Sequence, residues 1–354
     1  MSPQEMPLLP GQNGPASVPG FGSGSGSARP RLPQNIGHRG YNAAFPENSM
    51  AAFHGAIAAG AQALETDLHL SHDGVVVLSH DATLKRCFGV DKKIADCDWS
   101  YLRTLQTVKE PRQGMARLTD LLEWLAGRRR ESESAPAAPA LSVWVLLDIK
   151  TDDDPEVLMP AVARAIESVP LPDEGRGVGW RERIVVGCWN ENYIHHARRH
   201  LPGHQLAFIG FSLLYARKFL SDKHPDVHFN LFQACLVGPL GASFRRAARK
   251  RGRKLFVWTV NEEGWMEWAV RKNLDGVITD EVGKLAGVLD RFLAAKAKRG
   301  GGGGARAAAE GIRWPRMIRL YVAAIFWQAL TLLVSALLWH RLSTMGGRGK
   351  PKRG

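Results

Sequence analysis

Apolar residues recur along this chain in two alternating patterns. Compact apolar runs at 63–70, 75–80, 143–150, 184–189, 206–210, 231–236, 255–260 and 276–279 have the length and composition of strands. Between most of them the spacing turns helical, at 49–59, 154–167, 190–200 and 242–251. Strand followed by helix, repeated over residues 35–295, predicts a parallel sheet whose size suits a (β/α)8 TIM-type barrel in the α/β class. A doubly wound sheet is the rival, but no Gly-x-Gly-x-x-Gly opens a helix here.

Outside that repeat the pattern changes. Residues 1–34 are dominated by Pro, Gly, Ser and Gln and predict a flexible tail, without the charged-then-apolar order of a secretory signal. The Glu/Ser/Ala/Pro run at 130–140 predicts an insertion loop within the barrel. Residues 296–316 predict a Gly/basic linker, 317–341 a membrane-associated helix and 342–354 a basic tail. The membrane expectation comes from 320–339, which carry no charged side chain; a helix of that length spans about 30 Å of hydrocarbon. It implies anchoring with the barrel facing the cytosol, on endoplasmic reticulum, mitochondrial outer membrane or lipid droplet.

Composition narrows the chemistry. At 354 residues and 45% apolar, the chain has ample material for a core. Its four cysteines, Cys87, Cys97, Cys188 and Cys235, are scattered, which excludes a disulfide scaffold and a structural zinc site. The net charge of +13 concentrates at 128–130, 245–254 and the C-terminal region. No nucleic-acid motif accompanies those runs, so no nucleic-acid partner is expected. An anionic membrane surface would attract the same charges.

Polar residues interrupt three of the predicted strands. In Ala63-Leu-Glu-Thr-Asp-Leu-His-Leu70, alternation puts Glu65, Asp67 and His69 on one face and the leucines on the other. Two neighbouring carboxylates inside a barrel are costly unless a divalent cation joins them. Ser71-His-Asp-Gly74 then predicts a hairpin, with His80 opposite Asp67 for a two-residue loop or Glu65 for a four-residue loop. A histidine there can act as a general acid or base. In Leu146-Leu-Asp-Ile-Lys150, Asp148 and Lys150 share a face at a strand end, where barrel active sites gather. Asp148 can complete a three-carboxylate cation site, and Lys150 can meet an anionic oxygen. Gly37-His-Arg-Gly40 predicts a tight turn close to a ligand, ahead of a helix capped by Asn48 or Ser49.

Taken in order, His-Arg-Gly, Pro-Glu-Asn, Glu-Thr-Asp, Asp-Gly-x-x-Val-x-x-x-His-Asp, Leu-Asp-Ile-Lys, Trp-Thr-Val-Asn and Gly-Val-Ile-Thr-Asp resemble the glycerophosphodiester phosphodiesterase family over residues 35–285. Leu-Asp-Ile-Lys, Gly187-Cys-Trp189, Phe256-Val-Trp-Thr-Val-Asn261 and the C-terminal apolar segment look like its fungal phosphatidylglycerol phospholipase C branch. The resemblance implies a (β/α)8 barrel and a divalent metal, Ca²⁺ or Mg²⁺. By motif position, Glu65, Asp67 and Asp148 would be its ligands, and His38 and His80 the acid/base pair. Asp148 stands where many members carry Glu.

Arg39 and Lys150 are then expected to hold the phosphate. Glu47 is expected to bind a glycerol hydroxyl or assist the metal, and Trp258 to line the pocket with Asn261. The expected reaction is metal-assisted hydrolysis of phosphatidylglycerol to diacylglycerol and glycerol phosphate. Alternatives are hydrolysis of deacylated glycerophosphodiesters, a lysophospholipase D reaction, or an inactive lipid-binding barrel. A phospholipid substrate and a membrane surface are the expected partners.

Overall fold

The computed structural model describes residues 32–127, 143–171 and 179–297, together with Tyr321, Val322, Ile325 and Phe326. Its frame is a closed barrel of parallel strands: β1 (Gln34–His38), β2 (Ala63–Leu70), β4 (Trp144–Ile149), β5 (Ile184–Cys188), β6 (Gln205–Gly210), β7 (Val227–Phe232), β8 (Leu255–Trp258) and β9 (Gly276–Thr279). Each pairs with its neighbour, and β1 closes the ring by pairing with both β9 and β2. A short β3 (Val76–Leu78) folds back antiparallel on the end of β2. The barrel expectation therefore holds.

Strands buried on both faces need apolar residues at nearly every position. Ile36, Ala63, Trp144, Leu146, Val185, Ala207, Ile209, Phe256 and Ile278 fill the interior. The alternate positions, among them Leu64, Leu68, Val145, Leu147 and Val186, pack outward against the helices. Three helices begin where the sequence places a cap. Ser49, Asp154 and Asn190 each accept a hydrogen bond from a first-turn amide, starting Met50–Ala58, Pro155–Glu167 and Glu191–His200.

Between β3 and β4 the chain builds an unforeseen lobe. Residues 79–117 gather Leu84, Ile94, Cys97, Leu102 and Met115 with Val77 into a separate small core. This lobe holds the loop after β1: Lys109 Nζ donates to the carbonyls of Asn42 and Phe45 at 2.6 and 2.8 Å.

Three expectations are corrected. Only the first two residues of the apolar run 231–236 are strand. β7 starts earlier and ends at Phe232, and Gln233–Leu236 is a helical turn whose side chains pack into the core. The β2–β3 hairpin takes neither anticipated register: Leu70 faces Val76, His69 faces Val77 and Leu68 faces Leu78. Ser71 N donates to Val75 O, leaving three residues in the loop, so Asp67 comes opposite Ser79, whose amide donates to its carbonyl.

The third correction is the membrane anchor. No helix among the described residues is long and apolar enough to cross a membrane, which overturns the expected C-terminal anchor and the cytosol-facing placement built on it. Of 320–339 only four positions are described, and Tyr321 packs its ring against Trp265 at 6.3 Å, on the barrel's own helices. The predicted loop at 130–140, the tail at 1–31, the linker from 298 and the basic tail lie outside the described residues. The basic helix Gly238–Lys250 is partly structural. Arg245 donates to the Leu236 carbonyl and stacks on Trp268, while Arg249 donates to the carbonyls of Lys272 and Asn273.

Candidate active site

Strand C-termini converge on one end of the barrel, and there the chain departs from apolar filling. A cavity of about 100 Å³ is lined by His38, Arg39, Glu65, Asp67, His80, Asp148, Lys150, Trp189, Ile209, Asn230, Trp258, Thr259 and Ile278. That is room for several waters or a phosphate group.

Parallel register sets the carboxylates together. Asp67 of β2 lies directly beside Asp148 of β4, and Glu65 is one step below on the same face. One oxygen from each of Glu65, Asp67 and Asp148 falls within 4.8 Å of the others, and all three residues are buried. Two cations offset this charge. Lys150 Nζ reaches Asp67 Oδ1 at 2.6 Å and Asp148 Oδ2 at 2.7 Å. Arg39 Nε lies 3.2 Å from Asp67 Oδ2, and its backbone amide donates to Glu65 Oε2 at 2.9 Å.

The electrostatics separate the three acids. Burial works against ionised Asp67, but Lys150 and Arg39 outweigh it and pull its carboxyl down to about 2. Burial and the adjacent Asp67 push Glu65 up to about 7. Burial likewise raises Asp148, despite Lys150. A buried, oxygen-only donor set with more negative charge than its neighbours neutralise fits a hard divalent cation such as Ca²⁺ or Mg²⁺.

Both histidines are oriented through Nδ1. His38 Nδ1 bonds Asp280 Oδ1 at 2.6 Å, and Nε2 lies 3.9 Å from Glu65 Oε2. Burial disfavours its charged form, yet Glu65 and Asp280 outweigh this and raise its pKa. Asp280 is itself held by Asn42 Nδ2 and Asn261 Nδ2. His80, at the rim, bonds Asp81 Oδ1 at 2.8 Å through Nδ1. In each case the carboxylate sits on Nδ1 and the ring lines the cavity.

A chain of ion pairs joins these groups. Arg86, from the lobe after β3, donates to Asp81 Oδ2 at 2.7 Å and grips Glu47 with both terminal nitrogens at 2.6 and 2.8 Å. Glu47 in turn takes Arg39 Nη1 at 3.0 Å. The loop that carries Arg39 is backbone-constrained: Arg39 and Asn48 adopt φ of 54° and 53°, and Asn48 N donates to Arg39 O. Asn48 Nδ2 also donates to Asp67 Oδ2 at 2.8 Å. Gly40 is required because a Cβ there would lie 2.6 Å from the Ala52 backbone.

The cavity therefore collects His38, His80, Glu65, Asp67, Asp148, Arg39, Lys150 and Trp258, as the sequence suggests. Glu47 stands outside it, engaged by two arginines, and Asn261 serves Asp280 rather than lining the wall. His69 shares the face of Glu65 but clips loops together, bonding Asp153 Oδ2 and the His80 carbonyl. Sequence reasoning gave no role to Asp280, Asn42, Asp81, Arg86 or Trp189, whose Nε1 donates to Asp148 Oδ1 at 2.7 Å. For Asp280 there was a signal, a charged residue just past an apolar strand, the same signal that marks Lys150.

A parallel barrel with an acidic cluster and two carboxylate-oriented histidines at its C-terminal mouth defines a hydrolase site of phosphodiesterase type. Residues 38–284 match the Glycerophosphoryl diester phosphodiesterase family, and the chain belongs to that family of phosphoric diester hydrolases. A glycerophosphodiester phosphodiesterase of Caldanaerobacter subterraneus is 26% identical over 259 residues, covering 70% of this chain and 93% of its own length. A lysophospholipase D of Mus musculus is 27% identical over 283 residues, covering 74% and 88% respectively. In fold, the chain matches a glycerophosphoryl diester phosphodiesterase structure from Silicibacter pomeroyi with TM-score 0.62 and 21% identity, over 75% of this chain and 95% of that one.

Proposed function

We propose that the protein hydrolyses phosphodiesters containing a glycerol unit with a free hydroxyl beside the phosphate, a class that includes glycerophosphodiesters and lysophospholipids. The observation that carries this is the convergence of His38, His80, Arg39 and Lys150 on one cavity with the acidic triad. The names of the relatives, a glycerophosphodiester phosphodiesterase and a lysophospholipase D, support the same class.

A divalent cation held by Glu65, Asp67 and Asp148 would polarise a phosphoryl oxygen and offset charge developing on phosphorus. Arg39 and Lys150 bind and orient the remaining phosphate oxygens. One histidine Nε2 takes the proton of the neighbouring glycerol hydroxyl as that oxygen bonds phosphorus. The other protonates the departing alcohol oxygen as its bond to phosphorus breaks. Water, deprotonated in the reverse sense, then opens the cyclic phosphate to a monoester. Asn230, whose buried Oδ1 has no hydrogen-bond partner among the described residues, lines the cavity as an acceptor for a substrate hydroxyl.

This chemistry also accommodates phosphatidylglycerol through its head-group glycerol, whereas diacyl phosphatidylcholine offers no such hydroxyl. The test is turnover of glycerophosphocholine, lysophosphatidylcholine, phosphatidylglycerol and phosphatidylcholine, with and without chelator, for the full chain and its H38A and H80A variants. We expect metal-dependent release from substrates bearing the free hydroxyl, and a loss of about 10²-fold or more in each variant. Equal turnover of phosphatidylcholine would remove the hydroxyl nucleophile; chelator-resistant turnover would remove the metal. Diacylglycerol from phosphatidylglycerol would add the phospholipase C reaction.

A further inference from the structure

The barrel mouth is divided by chemistry. β1, β2 and β4 contribute its charged half, from His38 and Arg39 to Asp148 and Lys150. β6, β7 and β8 contribute the opposite half, and there the register brings aromatic residues to one level. Ile209 pairs with Asn230, and Asn230 with Phe256; Ile209 and Asn230 line the cavity, and Phe256 packs inside the barrel. Two residues further on, alternation returns β7 and β8 to the same face at Phe232 and Trp258, and Phe211 follows directly on the end of β6. Phe232 pairs with Trp258, their rings 5.5 Å apart, and Trp189 meets Trp258 edge-on at 5.7 Å.

This row grades outward. Trp189 and Trp258 line the cavity, Phe232 is half-buried, and Phe211 is 53% exposed, followed by Leu214 at 69%. The Cys235 thiol donates to the Phe211 carbonyl and ties the loops after β6 and β7 together. Trp189, Trp258 and Phe232 are thus in ring contact from the cavity outward, and the loop after β6 adds the exposed Phe211 and Leu214. A glycerol backbone alone does not need such a row, whose burial is worth most to hydrocarbon.

We infer that the arc Trp189–Trp258–Phe232–Phe211, extended by Leu214, is an acyl-chain subsite, so that a lysophospholipid is preferred over its deacylated counterpart. The assignment rests on the proposed hydrolysis, because it takes the phosphate to lie in the charged half. That placement leaves the sn-1 chain to leave the cavity along the apolar wall.

The test uses the full chain and the double variant F211S/L214S, which alters exposed residues outside the charged centre. With monomeric lysophosphatidylcholine, kcat/KM is expected to fall about tenfold, on the scale of lost Leu- and Phe-sized apolar contacts. With glycerophosphocholine it should stay within about twofold. An equal fall on both substrates, or no fall on the lysolipid, overturns the subsite. A fall seen only when the lysolipid is presented in vesicles also overturns it, in favour of surface docking. Affinity for monomeric dodecylphosphocholine, read by calorimetry, separates this inference from the hydrolysis itself. Weaker binding by the variant upholds the subsite even if neither substrate is turned over; equal binding overturns it.

Discussion

At the scale of single residues, the site works by holding charges that would otherwise be expelled. Lys150 between Asp67 and Asp148, and Arg39 between Asp67 and Glu47, keep buried carboxylates in place while leaving Glu65 near neutrality. The same logic predicts the behaviour of His38. Its raised pKa comes from Glu65 and Asp280 prevailing over burial. Replacing Asp280 by Asn removes one anion and should lower that pKa by about one unit or more. If His38 is the base, the acid limb of the kcat/KM profile moves to lower pH; if it is the acid, the alkaline limb does. A profile in D280N superimposable on the wild type would show that Asp280 does not tune His38. The acidic triad was legible from the sequence because charged residues inside apolar strands demand an explanation; His80 was reached through hairpin registers the fold does not adopt, and His38 through the resemblance. Asp81 and Arg86 were not legible, since Arg86 finds Glu47 39 positions away, and only the folded lobe lets it hold Asp81 behind His80.

At the scale of elements, the two ends of the barrel titrate for different reasons. His228 enters β7 at the end remote from the site, where Lys254 N donates to Nδ1 at 3.1 Å and Nε2 lies 3.2 Å from Gln205 Oε1. The ring must accept at Nδ1, so it is held neutral, and burial with Arg253 and Lys254 nearby lowers its pKa to about 4. Between pH 4 and the ordinary value near 6.5 the unfolded chain binds more protons than the folded one. Stability therefore falls as pH is lowered through this window, with a slope of at most about 1.4 kcal/mol per pH unit from this group. The urea midpoint of H228Q should change less between pH 7 and pH 4.5 than that of the wild type; an equal change would exclude His228 as the source. Helix starts were readable because a cap needs only its own residue and the next few amides, as at Ser49, Asp154 and Asn190. Hairpin register was not, because one residue more or less in the 71–75 loop reassigns every opposing pair.

At the scale of the whole molecule, the triad links folding to ion binding. Glu65 and Asp67 come from β2 and Asp148 from β4, so a cation bound to all three needs these two strands paired and is bound only by folded chain. Ligation restricted to the folded state stabilises it by about 2.7 kcal/mol at a hundredfold excess over the dissociation constant. For a domain of this size that corresponds to a rise in Tm of roughly 5–10 °C. Titrating Ca²⁺ or Mg²⁺ into chelator-treated protein should show this rise, and D67N should lose most of it. A Tm indifferent to both ions in the wild type would count against the triad as their site.

By itself, the sequence determined the barrel and most of the polar residues that gather at its mouth. Alternation along a strand is a local property, and seven motifs in order leave few folds that can carry them. Only the tertiary structure decided which carboxylate meets which cation, where the lobe after β3 clamps the site, and how the mouth divides into charged and aromatic halves. It also decided against a membrane-crossing helix among the described residues. Those outcomes depend on register between strands distant in sequence and on packing across the barrel, and neither is written in the spacing of residues along a single element.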